Sequence, residues 1–289
     1  MSSPSSSRNP KKNRRSLFTL VQERLPAVPR CIVTTVFGFV RASGHYHPHR
    51  ENDALLLREQ ILSVLATNPS YGYRRIALAL HVGKKRIRRM MQLFGIKRYK
   101  RKARWRKRRD EQRVSAPFLN HIKSQCPVVP NHTWVGDCTY LPFKKQFLYL
   151  ATFMDLYTRE IVGWHLAIRH TKELVMEAFL DGLVTQHLRK PTCVHSDQGV
   201  EYTNEAYITL LQSFGITVSM SKKSSPWENG YQESFYNNFK TDLGLECDRF
   251  SDIGQFAEAI AHTIHTYNTT RIHITLRMPP AAFHRLHSP

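Results

Sequence analysis

The chain has 289 residues, 41% of them hydrophobic, which is enough for about two folded domains with a sizeable core. Lys and Arg number 43 against 22 Asp and Glu, and the net charge of +21 argues against an acidic or neutral metabolic enzyme and favours a polyanionic partner. No apolar run reaches the ~18 residues of a membrane span, and the 5 scattered cysteines form no disulfide framework, so we expect a cytoplasmic protein without a membrane segment.

The N-terminal third is expected to consist of a disordered tail and a helical region. Residues 1–30 are rich in Ser, Pro, Lys and Arg, which predicts a disordered basic N-terminus. Residues 31–96 contain three apolar stripes with helical spacing: Leu57, Ile61, Val64 and Leu65, then Tyr73, Ile76, Ala77 and Leu80, then Ile87, Met90, Met91 and Phe94. The last two stripes are separated by a turn at 81–83, which predicts a helix-turn-helix whose second helix enters the major groove of DNA.

The positive charge is concentrated between Lys84 and Arg113, where 16 Lys or Arg residues accompany only two acids. A solvated helix face normally mixes both signs, so this cluster predicts contact with nucleic acid. The candidate contacts on the second helix are Lys84, Lys85, Arg86, Arg88 and Arg89. Residues 97–128 form a basic linker, and there the candidates are Arg101, Lys102 and Arg104.

From residue 132 onward the sequence predicts an α/β domain. The predicted strands are 132–142, 146–156, 160–168, 191–194 and 216–220, and the predicted helices are 172–188, 204–214, 229–243 and 251–267. The order βββ-α-β-α-β-α is that of a ribonuclease-H-like fold, a mixed five-stranded sheet with flanking helices. We assign this core to residues 129–245 and a C-terminal helical extension to 246–289.

Two aspartates occupy unusual positions in this predicted sheet. Asp137 lies inside the first strand, where a charge costs stability unless it is used, and Asp197 ends the fourth strand. The first and fourth strands are neighbours in the assumed fold, so the two carboxylates would meet. They would then repel each other unless a divalent cation neutralised them, and oxygen ligands suit Mg²⁺ or Mn²⁺.

A third acid would complete a two-metal site, and Glu201, Glu228 and Glu233 are all candidates. Glu233 is preferred because it shares a helix face with Asn229, Asn237 and Lys240. Glu228 is equally well explained as an acid near a helix start.

The ordered motifs resemble the B-frame transposases of the bacterial insertion-sequence "three" family, which have a DDE catalytic core like that of retroviral integrases. Asp197 and Glu233 are separated by 35 residues, as in the DDE signature. The motifs are YGYRRIALAL at 71–80, WVGDCTYL around Asp137, VHSDQGVEYT around Asp197, SPWENGYQESFYNNFK around Glu233 and YNTTRIHITLRMPPAAF from residue 267. The resemblance covers residues 35–286, with one departure: Ile272 stands where the family usually has Pro.

The resemblance implies a DNA transposase that performs DNA integration and recombination for an insertion sequence. Asp137, Asp197 and Glu233 would hold two Mg²⁺ (or Mn²⁺) ions, which activate water or a 3′-hydroxyl for attack on a phosphodiester. The same site would cleave the transposon end and transfer the strand. Lys240 would hold the DNA backbone, and Asn229 would shape the helix entry or simply cap it.

The resemblance also implies partners. These are transposon-end and target DNA, other copies of the chain on that DNA, and the A-frame product with its helix-turn-helix and coiled coil, either separate or fused by frameshifting. We expect a bacterial, nucleoid-associated protein. Two alternatives remain open: a transposase-derived DNA-binding regulator without catalysis, and a nuclease acting on RNA–DNA hybrids.

Overall fold

The computed structural model describes residues 17–18, 20–21, 23–38, 50–99, 117–122, 127–221, 230–244 and 249–288. The chain divides into two compact units, Met1–Leu57 and Arg58–Pro289. Throughout the described residues, no helix combines the length and the apolarity that crossing a membrane requires.

The N-terminal segment contains helical residues, which differs from the expected disorder of residues 1–30. Residues 17, 18, 20, 21, 23 and 24 are helical, and helix α1 spans Arg30–Val36 directly after Pro29. The physical reason is local: Leu17, Leu20 and Val21 repeat with helical spacing, a signal that the Ser- and Lys-rich composition hides. Residues 1–16, 19 and 22 lie outside the described part of the chain.

Three helices follow, as the apolar stripes predict. They are α2 (Arg50–Thr67), α3 (Tyr73–Ala79) and α4 (Lys84–Leu93). Each contributes one fully buried isoleucine, and these are Ile61, Ile76 and Ile87. Helices α3 and α4 pack against each other across a turn in which His81 has a φ of 51°. The predicted pair of short helices with an intervening turn is therefore present.

The second half of the chain forms the predicted ribonuclease-H-like sheet. Its strands are β1 (Thr133–Phe143), β2 (Gln146–Asp155), β3 (Ile161–Ala167), β4 (Cys193–Ser196) and β5 (Thr217–Met220). The strand order is β3-β2-β1-β4-β5; β1, β2 and β3 are antiparallel, and β4 and β5 run parallel to β1. The associated helices are α5 (Lys172–Thr185), α6 (Glu205–Ser213) and α7 (Gly230–Asp242). The predicted α/β fold class and the adjacency of the first and fourth strands are confirmed.

The two faces of the sheet bury separate apolar clusters because side chains alternate along each strand. One cluster joins β1–β5 to α5 and α6 and includes Trp134, Phe153 and Phe179. The other joins the opposite face to α7 and α8 (Ile253–Thr269) and includes Phe239 and Phe256. The sheet is therefore covered on both sides.

Helix α5 lies unusually close to strand β3 because two glycines face each other there. A Cβ atom built on Gly163 would lie 2.3 Å from the carbonyl oxygen of Ala178 and 2.4 Å from the backbone nitrogen of Gly182. Only glycine fits at position 163 without a backbone shift.

The C-terminal extension is helical, as predicted, and consists of α8 and α9 (Pro280–His287). The segment between them is fixed to two distant parts of the second unit. The Arg271 guanidinium donates to Asp242 Oδ2 at 2.8 Å, and the Ile272 backbone N–H donates to the Tyr71 hydroxyl at 2.7 Å. Proline, the usual family residue at position 272, could not make the second bond because it lacks an N–H.

Candidate active site

Asp137 lies in the middle of β1, the central strand of the sheet. Its side chain is half-buried, and the Cys138 backbone N–H donates to its Oδ1 at 2.8 Å. Burial and then the charge of Asp197 raise the pKa of Asp137 to about 8 against this hydrogen bond, and Glu233 adds to the rise. A carboxyl group in this environment is a poor free anion and is stabilised as an anion by a nearby cation.

Asp197 is brought beside Asp137 by the register of two parallel strands. Trp134 pairs with Val194 and Val135 with His195, a constant offset that places position 197 level with position 137. Because β4 ends at residue 196, the Asp197 side chain is exposed at the carboxyl end of the strand. Its Oδ1 accepts a hydrogen bond from the Gly199 backbone N–H at 2.9 Å. The strand-end aspartate predicted from the sequence is thus close enough to Asp137 to change its pKa.

Glu233 approaches the same position from a helix. It lies in the first turn of α7, its side chain is exposed, and its charge raises the pKa of Asp137. Glu201 also raises the pKa of Asp137, but its carboxylate is buried and lies 3.1 Å from His170 Nε2. Glu228 and Asn229 lie outside the described residues. Of the candidate third acids that are described, Glu233 is therefore the exposed one.

Two side chains of α7 that the sequence analysis did not single out hold this helix against the aspartate strand. Gln232 is fully buried, and its Nε2 donates to the carbonyl oxygen of Val135. The Tyr236 hydroxyl donates to the carbonyl oxygen of Asp137 at 2.6 Å. Both residues belong to the stripe 232, 235, 236 and 239, so their burial was predictable from helical spacing, whereas their polar partners were not.

Lys240 lies farther along α7 and reaches the same strand. Its Nζ donates to Thr139 Oγ1 and, at 3.0 Å, to the carbonyl oxygen of Tyr140. It also lies 5.0 Å from the centre of the Tyr140 ring. Residues 137 and 139 share a face of β1, so the ammonium group is next to the acids along the strand.

The basic residues of the helical region are solvent-accessible. Five of them lie on α4 with exposed side chains: Lys84, Lys85, Arg86, Arg88 and Arg89. Every residue of α4 is described, and Ile87 alone among them is buried, so the charges surround a single buried anchor. Arg101, Lys102 and Arg104 lie outside the described residues, and their predicted contacts with DNA stay predictions.

Comparisons with known proteins cover the part of the chain that contains Asp137, Asp197 and Glu233. Two family models, each described as "Integrase core domain", match residues 127–226 and 214–280. The transposase for insertion sequence element IS904 of Lactococcus lactis subsp. lactis is 34% identical over 241 residues, which cover 79% of this chain and 93% of that protein. An uncharacterized 31 kDa protein of insertion element IS600 from Shigella sonnei is 32% identical over 263 residues, which cover 86% of this chain and 96% of that one.

A solved structure is similar in fold. A chain of the simian T-cell lymphotropic virus intasome, solved in complex with PP2A regulatory subunit B56 gamma, matches with a TM-score of 0.50 and 20% identity over 75% of each chain. At this identity the likeness concerns the fold alone. The chain described here thus resembles insertion-element proteins along most of its sequence.

Proposed function

The chain belongs to the insertion-sequence transposases with an integrase core, the B-frame transposases of the "three" family, and from this premise we propose that Asp137, Asp197 and Glu233 form its catalytic centre. The protein is a DNA transposase, a polynucleotidyl transferase of DNA integration and recombination. The observation that carries the proposal is the convergence of three acids from β1, the end of β4 and α7 on one position, which is reflected in the raised pKa of Asp137.

The three carboxylates fit a site for hard divalent cations. Their mutual repulsion and the burial of Asp137 make the metal-free arrangement unfavourable, and oxygen donors are the ligands that Mg²⁺ and Mn²⁺ prefer. Asp137, Asp197 and Glu233 would hold two such ions, which would supply Lewis-acid stabilisation of the attacking and leaving oxygens of a phosphodiester.

The chain's own residues determine how the acids meet the DNA. Tyr236 and Gln232 fix α7 to β1, so the backbone of Glu233 is held relative to Asp137. Lys240, beside the acids on the same strand face, holds a phosphate of the bound strand by its charge. Asn229, which lies outside the described residues, stays a predicted contact with the DNA backbone.

The basic helix α4 supplies binding to the transposon end. Its five exposed cations neutralise phosphates, and the helix lies in the major groove as the second helix of a helix-turn-helix. Arg101, Lys102 and Arg104 bind further phosphates. Together these residues keep the DNA near the acids while the strand is cut and joined.

The working form is an oligomer on transposon-end and target DNA, associated with the bacterial nucleoid in the cytoplasm. A structural relative is described as part of an intasome, which supports assembly on DNA. The A-frame product, separate or fused, adds end binding and a coiled coil to this form.

The proposal is tested by incubating the full chain, alone and fused to the A-frame product, with a labelled transposon-end duplex and Mg²⁺. Expected products are a nick at the element's 3′ end and a strand joined to a target duplex. If both proteins bind the duplex in a gel shift but neither yields a nicked or a joined strand, the chain is a DNA-binding regulator. Cleavage of an RNA–DNA hybrid in preference to the end duplex would indicate a nuclease.

A further inference from the structure

A second group of metal-binding side chains lies next to the catalytic acids and contains sulfur and nitrogen. Among the described residues, Cys138, His170 and Glu201 place one possible ligand atom each within 4.8 Å of one another. Cys138 follows Asp137 on β1, His170 precedes α5, and Glu201 lies in the loop between β4 and α6. Three separate elements therefore converge at one point.

This group lies on the other face of the sheet from the α7 side. Cys138 pairs with Ala151 and packs on the cluster beneath α5 and α6, whereas Tyr236 and Lys240 contact β1 from α7. Alternation along the strand directs the side chains of residues 137 and 138 to opposite faces. The sulfur is therefore separated by the strand from the α7 side of the acid centre.

The separation of the His170 and Glu201 ligand atoms suits a bound tetrahedral ion. His170 Nε2 and Glu201 Oε1 are 3.1 Å apart, close to the separation of about 3.3 Å expected for two ligands each about 2.0–2.1 Å from a tetrahedral zinc ion. His170 is half-exposed, which leaves an entry path, while Glu201 is only 9% exposed. Three protein ligands leave a fourth position for water.

The supporting residues hold each ligand in place. The ring of Tyr149 stacks on His170 with 5.1 Å between centroids, and the Tyr202 hydroxyl lies 3.4 Å from Cys138 Sγ. A Cβ atom on Gly199 would lie 2.5 Å from the Glu201 carboxylate, so glycine at 199 leaves the space that the carboxylate fills. Partners of this kind orient metal ligands.

We propose that Cys138, His170 and Glu201 form a second cation site in this protein, specific for a thiophilic divalent ion of the Zn²⁺ type and distinct from the Asp137, Asp197 and Glu233 centre. A thiolate, an imidazole and one carboxylate suit Zn²⁺ and not Mg²⁺. On binding, the ion replaces the thiol proton of Cys138, which is released to solvent. The Cys138 backbone N–H contacts the Asp137 carboxylate, so the bound ion also restrains that acid.

The test uses Co²⁺ as a spectroscopic probe on the full chain without DNA. The parent protein in this test carries Asp137→Asn and Asp197→Asn, so that the catalytic acids contribute little to Co²⁺ binding. We expect a sulfur-to-cobalt charge-transfer band in the near ultraviolet at one equivalent, displaced by Zn²⁺ but not by excess Mg²⁺. Cys138→Ser abolishes the band, and Cys193→Ser, which changes a buried cysteine on the neighbouring strand, retains it. His170→Gln and Glu201→Gln each weaken binding by at least about tenfold, a loss that even outer partners of a metal cause.

Absence of the band in the parent protein, or an equal band in Cys138→Ser, overturns the proposal and leaves His170 and Glu201 as an ordinary ion pair. Circular dichroism of each variant verifies folding. Because no DNA is cut, this result is independent of whether the transposase centre is assigned correctly.

Discussion

At the scale of single residues, Asp137 combines two opposing requirements. Its position on the central strand beside Asp197 and Glu233 suits a metal ligand, but the same position buries a carboxyl group among like charges. In the metal-free protein this raises the pKa of Asp137 to about 8, so the folded state binds its proton more tightly than the unfolded chain does. Function and stability therefore conflict at this residue.

The first prediction follows from that conflict. In EDTA, the free energy of unfolding of the parent should fall relative to Asp137→Asn as the pH rises from about 4 to about 8, because the folded state must give up a proton that it favours. Above this range we expect the Asp137→Asn variant to be more stable than the parent by about 1–3 kcal/mol. This is less than the full pKa change would give, because the side chain is only half-buried and solvent screens its charge. Urea titrations at several pH values measure it. A difference that does not change with pH would contradict both the burial of Asp137 and its closeness to the other acids.

The second prediction concerns Lys240. Lys240→Ala should reduce end cleavage and strand transfer while sparing Mn²⁺ binding, because the ammonium lies beside the acids on β1 but is not a ligand. Lys240→Arg should retain part of the activity since the charge persists. The measurement is single-turnover cleavage together with Mn²⁺ titration. If Lys240→Ala cleaves like the parent, Lys240 has no role in cleavage and only contacts Thr139 and Tyr140.

At the scale of elements, helix α7 is the part whose placement determines the site. It carries Glu233 and is tied to β1 by polar bonds from Gln232 and Tyr236, which lie 97 and 99 positions from their partners on that strand. Buried polar bonds of this kind fix one arrangement because a shifted helix would leave them unsatisfied. The helix that carries Glu233 is therefore held against the strand of Asp137 by two buried side chains of its own.

The third prediction tests Tyr236 as a positioning residue. Tyr236→Phe removes the hydroxyl that contacts the Asp137 carbonyl and Thr152, and should cost about 1–2 kcal/mol of stability. It should also raise the Mg²⁺ concentration needed for half-maximal cleavage, with partial rescue by Mn²⁺. Tyr231→Phe, an exposed tyrosine of the same helix, is the matched control and should behave as the parent. A stability loss with an unchanged metal dependence would limit Tyr236 to a packing role.

The fourth prediction concerns α4. Replacing Lys84, Lys85, Arg88 and Arg89 by Gln should weaken binding to all DNA sequences and reduce the salt dependence by ~0.9 in log–log slope for each phosphate that the helix no longer neutralises. The control for net charge replaces four exposed bases outside this helix by Gln, namely Lys145, Arg189, Arg277 and Arg285. Fluorescence anisotropy at several salt concentrations measures the slopes. Equal slopes in both variants would mean that the charges of α4 are solvated and do not contact DNA.

Local sequence signals predicted most elements, and long-range contacts account for what was missed. The order of predicted strands and helices indicated a ribonuclease-H-like sheet, and the adjacency of β1 and β4 followed from that assumed fold, which the observed pairing of the two strands confirms. The contact of the buried Glu201 carboxylate with His170 depends on a loop conformation that no periodicity encodes, so the sequence left Glu201 as a possible third ligand. Likewise, the bond from Ile272 to Tyr71 spans 201 positions and has no local signature.

At the scale of the whole molecule, the protein is a basic DNA-binding chain that contains an acidic centre. A net charge of +21 attracts DNA to many surfaces, whereas the three acids repel it unless cations are bound. The net positive charge thus attracts DNA to the chain, and cations bound at the acids would favour its close approach to them. The central claim is that Asp137, Asp197 and Glu233 act together as the site that binds these cations.

The most direct test measures Mg²⁺-dependent end cleavage by Asp137→Asn, Asp197→Asn and Glu233→Gln. Each variant is purified in the form in which the parent is active, either the chain alone or its fusion to the A-frame product. We predict that each loses at least about 10²-fold in cleavage, the scale of removing one preorganised electrostatic group, while gel shifts show unchanged DNA binding. Glu258→Gln, an exposed acid on α8, should cleave like the parent. Near-parent cleavage by any one of the three would remove that residue from the centre, and activity that survives Glu233→Gln but is lost in Glu228→Gln would contradict the assignment of the third acid.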